Sequence, residues 1–211
     1  MAGIIKCDQV QSDSNLAFNI AGSNVAFMNA TSLQMVGSNV SLAGTNVITN
    51  GRVVTSGMPL GSVLQVVQTQ LTTHQTFSPG AGVFTDITGA TASITPSSAS
   101  NKILVTYSTF MSTTQGTPSW FQYLRILRNG TAVGVGTQAS FKSVGAANYA
   151  VSRQYGGPLV QTFLDSPATT STVTYQLSGA GEDAFSIGGS YASGASNPSI
   201  PTTIILMEIA A

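Results

Sequence analysis

Apolar and polar residues alternate along much of the second part of this chain, and the final strand-like stretch breaks the rule. Residues 202–209 read Thr-Thr-Ile-Ile-Leu-Met-Glu-Ile. Successive side chains of a strand point to opposite faces, so a half-buried strand should alternate. Ile204, Ile205, Leu206 and Met207 are all apolar, which requires cover on both faces. One face can pack into the core of a β-sandwich. No amphipathic helix pattern is present to cover the other, and a second copy of the same chain is the simplest substitute. The stretch is therefore expected at an oligomer axis. Burial inside one larger monomer is the alternative.

Upstream, period-two segments alternate with turn residues. Strands are expected at 62–68, at 83–87 and 91–94 (divided by Gly89), at 102–111 and at 120–127. Within 102–111, Ile103, Val105 and Tyr107 share a face. Within 120–127, Phe121, Tyr123, Arg125 and Leu127 oppose Gln122, Leu124 and Ile126. Asn129-Gly130 is the clearest hairpin signal, because both residues tolerate the positive φ of a type I′ turn. Its return strand is expected at 131–137, with others near 148–154, 159–164, 172–177 and 186–191. Some eight to ten strands with regular turns indicate an all-β jelly-roll sandwich.

Residues 1–58 read differently. No charged residue occurs from 14 to 51, and a short phrase recurs: Gly22-Ser-Asn-Val, Gly37-Ser-Asn-Val and Gly44-Thr-Asn-Val, with Asn50-Gly-Arg-Val as a weaker echo. Gly and Asn suit turns. The apolar pieces between them, at 25–28, 33–36, 40–42 and 47–48, are too short to form an independent sheet and need stacking neighbours or sister chains. Gly57-Met-Pro-Leu-Gly61 punctuates the boundary. The organisation expected is a β-rich repetitive arm or stalk over 1–58 and a jelly-roll knob over 59–211.

Composition narrows the function. Only 7% of the 211 residues are charged, seven basic and seven acidic, against roughly 25% in an average soluble protein. So little charge protects a free monomer poorly against association and suits a chain buried in an assembly. Without a basic cluster, nucleic acid is not the expected partner. Nothing approaches the roughly 18 consecutive apolar residues of a membrane helix, so membrane insertion is not expected, nor does the N-terminus read as a secretory signal. One cysteine, Cys7, excludes an intrachain disulfide framework.

Catalytic patterns are sparse. His74 is the single histidine and lies in a polar connection, with no nucleophile-elbow motif elsewhere. Glu182-Asp183 is the one tight pair of acids, too little for an organised Ca²⁺ site or for two carboxylates facing one glycosidic bond; the pair reads as a solvated turn, with a metal contact as the alternative. One Cys and one His do not make a zinc site. No cofactor and no enzymatic activity are expected. Trp120, Arg125 and Arg128 are the candidates for surface recognition, since aromatics with arginine suit glycan or protein contacts. Packing in the core is the alternative for the aromatics. Val63, Leu64, Ile204, Ile205, Leu206 and Met207 are the candidates for the subunit interface.

The order of pieces carries a resemblance: Gly61-Ser-Val-Leu-Gln-Val-Val, Phe84-Thr-Asp-Ile-Thr, Lys102-Ile-Leu-Val-Thr-Tyr, Leu124-Arg-Ile-Leu-Arg-Asn-Gly-Thr, Val173-Thr-Tyr-Gln-Leu and the apolar last strand. It resembles the trimeric jelly-roll heads of the tumour necrosis factor and complement globular-head superfamily. It resembles more closely the knob domains of bacteriophage virion proteins, those of cyanophages and other marine phages especially. The opening Met-Ala-Gly-Ile-Ile-Lys-Cys-Asp and the Gly-Ser-Asn-Val phrases are similar to the N-terminal arms of such fibres. The resemblance implies a homotrimer with the last strand near the three-fold axis, located in a virion. Residues 1–58 would bind other virion proteins, and the knob would contact a glycan or protein of the host surface. A trimeric capsid decoration protein is the alternative. The resemblance implies no receptor-site residues.

Overall fold

In the computed structural model, the residues described are 58–113, 120–137, 144–150, 156–182, 184–189 and 199–211, together with the strand segments of 16–53. For residues before 58, and for 113, 120 and 148–150, the description is of backbone alone. The chain divides into two compact units, Met1–Met58 and Pro59–Ala211.

The first unit contains two three-stranded antiparallel meanders. β1 (Leu16–Ile20), β2 (Ser23–Met28) and β3 (Leu33–Met35) form one; β4 (Asn39–Leu42), β5 (Thr45–Thr49) and β6 (Arg52–Val53) form the other. The recurring phrase does not act wholly as turn. In its three full copies the Asn belongs to a strand, with Ser23 and Thr45 beside it in the first and third: Asn24 pairs with Asn19, Asn39 with Thr49 and Asn46 with Ser41. Each short strand thus finds a partner a few residues away in its own chain. Cys7 lies outside the described residues.

The second unit is a jelly-roll β-sandwich, with no helix among its described residues. One sheet is built from β7 (Val63–Leu71), β8 (Gln75–Phe77), β10 (Lys102–Thr113), β14 (Gly156–Asp165), β16 (Phe185–Ile187) and β17 (Thr202–Ile209). β14 runs along one edge of β10; β17 and then β16 share the other; β7 and β8 lie beyond them. The second sheet holds β9 (Thr85–Ile94), β11 (Trp120–Arg128), β12 (Thr131–Val133), β13 (Ala146–Ala150) and β15 (Val173–Gly181). Most connections cross from one sheet to the other.

Inward positions follow the sequence period. Ile103, Val105 and Tyr107 of β10 meet Leu124 and Ile126 of β11, Val173, Tyr175 and Leu177 of β15, and Ile204 and Leu206 of β17 in one core. Asn129 and Gly130, at φ 47° and 85°, close the β11–β12 hairpin in the type I′ manner. Two features were not legible in the pattern. Residues 85–94 form one strand rather than two, because the irregularity at Gly89 is filled by Gln176, whose Nε2 donates to the carbonyls of Ile87 (2.8 Å) and Ala90 (3.1 Å). The segment after Leu71 contains the short strand β8, whose Phe77 stacks on Phe185 at 5.1 Å.

Glutamine side chains stitch the seams between the sheets. Gln65 and Gln75 donate to the carbonyls of Thr95 and Thr88 on one side, and Gln161 to Gly134 on the other. At one end of the sandwich, residues 59–62, where the chain enters the unit, meet the chain's last residues: Gly61 N donates to Ala210 O and Ala210 N to Ser62 O.

Candidate interaction surfaces

β17 resolves its own ambiguity. Ile204 and Leu206 point into the core and are 1% and 0% exposed. They are therefore not available to a subunit contact, which corrects their place among the interface candidates. Ile205, Met207 and Ile209 lie on the outward face and are half-buried. Paired residues of antiparallel strands project to the same face, so the register extends this surface across four strands. Leu164 of β14, Leu104 of β10, Met207 and Val66 of β7 form one apolar row. Leu164 and Val66, at its ends, are 55% and 57% exposed.

The neighbouring row towards the chain ends is Lys102, Ile209 and Val63. Leu64 is the extra residue at the β-bulge where Glu208 pairs with Gln65 and Ile209 with Val63. In the other direction the rows turn polar, with Thr162, Thr106, Ile205 and Gln68, then Val160, Ser108, Thr203 and Gln70. Beyond them a groove of about 190 Å³ is lined by Phe110, Pro158, Val160, Ile200 and Pro201 among others. Lys102, whose Nζ donates to Ser166 Oγ at 2.8 Å, is the one charged residue in these rows. A solvated antiparallel face ordinarily carries polar residues; contiguous apolar surface of this kind marks contact sites.

The recognition candidates are engaged within the chain. Arg128 Nη1 donates to both carboxylate oxygens of Asp165, at 2.8 and 3.0 Å, and Tyr175 OH donates to the same carboxylate at 2.7 Å. This ties β11 to β14 across the sandwich, with the Arg128 side chain 29% exposed. Arg125 lies on the outward face of the second sheet, with its guanidinium carbon 3.7 Å from the Phe84 ring centroid. Phe84 ends a strap, residues 78–84, which Gly82 N anchors to Gly181 O at 2.8 Å. Burial pulls the Arg125 pKa down, against the opposing pull of the Asp86 charge. Among the described residues, neither Arg125 Nε nor the Oγ of its cross-strand neighbour Ser178 has a hydrogen-bond partner. Trp120 pairs through its backbone with Ala150; its side chain lies outside the description.

Glu182 is held by its surroundings. Its carboxylate accepts from Phe121 N at 3.4 Å and Tyr123 OH at 3.3 Å. Burial first, and then the charge and hydrogen bond of Glu182, push the Tyr123 phenol up to about 12. Asp183 lies outside the described residues. His74 is exposed in the β7–β8 connection. Among the described residues, no group of three or more His, Cys, Asp and Glu comes together.

The sequence reading passed over Glu208. It is the one charged residue of β17 and sits on the same side as Ile204 and Leu206, 1% exposed. The sequence leaves open which face of this strand turns inward; once pairing with β10 and β7 sends Leu206 to the core, counting in twos places Glu208 there with it.

No family model matches this sequence, and no curated protein matches it. Among solved structures, the chain is similar to a chain from the structure of infectious bursal disease virus, Gx strain. Sequence identity is 14%, the TM-score is 0.37, and the match covers 92% of this chain and 51% of that chain. The present chain thus spans about half the length of the viral chain. The jelly-roll assignment rests on the strand order and register described above.

Proposed function

We propose that this protein is a non-enzymatic structural component of a bacteriophage particle, a homotrimer that joins the virion through residues 1–58 and projects residues 59–211 as a knob. The observation that carries the reading is the outward row Leu164, Leu104, Met207 and Val66. These four side chains cross the sheet on the face away from its own core, and a copy of the same face would remove them from water. The low charge of the chain and its resemblance to phage knob domains support the same reading. With Ile204 and Leu206 assigned to the core, the subunit contact falls to Ile205, Met207, Val66, Leu104 and Leu164, with Val63 and Leu64 at the margin.

Light scattering at micromolar concentration tests this. A trimer mass for the native chain, and a monomer mass for a folded Met207→Asp variant, are expected. A native monomer, or a Met207→Asp trimer, would remove the face from the interface. Antibody labelling of particles distinguishes the two structural roles: label at the tail indicates a fibre, and label over the head indicates decoration.

A further inference from the structure

Glu208 is the centre of a buried hydrogen-bond cluster at the end where the chain enters and leaves the sandwich. Its Oε1 accepts from Ser97 N (2.6 Å), Ser97 Oγ (2.8 Å) and Asn101 Nδ2 (2.6 Å), and its Oε2 from Gln65 Nε2 (2.6 Å). All four donors are neutral. They come from β7 and from the connection between β9 and β10, residues 95–101, so the carboxylate pins that connection onto β17. Asn101 extends the cluster, accepting on Oδ1 from Ala211 N at 3.2 Å, while Ser100 Oγ donates to Ala211 O at 3.0 Å.

We propose that Glu208 is an acid-released latch, which holds the 95–101 connection and the terminal residues in place while ionised and lets them go when it takes up a proton. A carboxylate accepts only; a carboxylic acid brings a hydrogen of its own. Here that hydrogen would face a ring of donors. Asn101 cannot reverse its amide without losing Ala211 N, and Gln65 Nε2 is shared with Thr95 O at 2.7 Å. Only the Ser97 hydroxyl can turn to accept.

Among the described residues, the other charged groups on this inward face are Asp165, two strands away in the same row across Ile103, and Arg128, which is paired with Asp165. β7 carries no charged residue over 63–71, and neither does the connection 95–101. Lys102 of β10 is on the opposite face, bonded to Ser166. Asp86 of β9 lies towards the far end of its strand, level with Ser178. Ala211, which accepts from Ser100 Oγ, is exposed. Burial pushes the Glu208 carboxyl up, but the hydrogen bonds from Asn101, Gln65 and Ser97 outweigh it and hold it below the ordinary carboxylate value. The latch is therefore closed at neutral pH and opens as pH falls through that lowered value.

Glu208→Gln supplies the test, because a neutral amide reproduces the donor-against-donor contact at any pH. Amide exchange is followed in residues 95–101 and 209–211, with β11 as the internal reference. For the native chain, protection of these segments is expected to drop about tenfold relative to β11 on acidification, roughly the loss of one hydrogen bond to a charged group. Glu208→Gln should show the low protection already at neutral pH and no acid step. Native-like protection in Glu208→Gln at neutral pH would overturn the proposal, as would simultaneous loss of protection in β11. Where the variant does not fold, the native chain alone decides: the Glu208 carboxyl resonance must titrate in step with the Ser97 amide, and independent midpoints refute the latch.

Discussion

Arg128 on β11 and Asp165 on β14 face each other across the interior of the sandwich, with Nη1 to Oδ1 at 2.8 Å and to Oδ2 at 3.0 Å. The pair is mostly shielded from water, with Asp165 the more deeply placed and also hydrogen-bonded by Tyr175. An arginine read from sequence as a recognition residue is here a cross-brace between sheets. Arg128→Ala should lower stability to chemical denaturation by about 2 kcal/mol, since it removes charged hydrogen bonds and strands a carboxylate. No contact with a partner need change. A drop well below 1 kcal/mol would mean that the pair is hydrated.

Two adjacent residues of β17 should respond in opposite ways. Leu206→Ala opens a cavity in the core beside its strand partners Val105 and Val67 and should cost about 2–5 kcal/mol. Met207→Ala removes outward surface and should leave the midpoint of a dilute, dissociated sample within about 0.5 kcal/mol of native. Equal losses at both positions would contradict the face assignment.

The connection after β12 depends on glycines for close approach. A Cβ at Gly134 would stand 2.6 Å from the Phe163 ring, at a φ of +61° that already disfavours other residues. A Cβ at Gly145 would collide with the Gln161 amide and the Tyr107 hydroxyl, which are hydrogen-bonded to one another. Gly145→Ala should therefore separate Tyr107 from Gln161 and lower the melting temperature by several degrees, on the order of 1–3 kcal/mol for an overpacked site. Gly130→Ala, in open space but at φ +85°, should lose only about 1 kcal/mol through backbone strain. Thermal unfolding of the two variants checks the order.

Alkaline titration should reveal the buried phenols. Burial raises the pKa of Tyr107 and of Tyr175, the latter also through Asp165, and Tyr123 is pushed up to about 12. These groups are protonated in the folded chain at pH values where the unfolded chain has lost the proton. Their contribution to stability is thus full below about pH 10, the ordinary value, and is lost as pH rises through the folded values. Phenolate absorbance should appear in two steps, the second coinciding with unfolding. A single step near pH 10 for all six tyrosines would show these three sites open to water.

Local signals were legible where the physics is local. The period of two placed most strands within a few residues, and Asn129-Gly130 announced its hairpin because positive φ is a property of those residues alone. Gly89 announced an irregularity but not its consequence, since Gln176 on a different strand bridges it. β8 was missed because three residues carry too little pattern; Phe77 is fixed by Phe185, more than a hundred positions away. The partners of the β11 arginines, Phe84 and Asp165, were not legible for the same reason, as they come from other strands and loops.

By itself the sequence determined that residues 202–209 form a strand apolar on both faces and that little charge keeps this chain apart from its neighbours. Composition and alternation are intrinsic to the chain and survive any arrangement of it. Which face turned inward was decided by tertiary structure. A strand satisfies its period equally well in either of two registers, and only pairing with β10 and β7 sends Ile204, Leu206 and Glu208 to the core. The same choice leaves Ile205 and Met207 on the outside. It converts one acidic residue in a hydrophobic run into the buried acceptor that holds the 95–101 connection at the entrance of the domain.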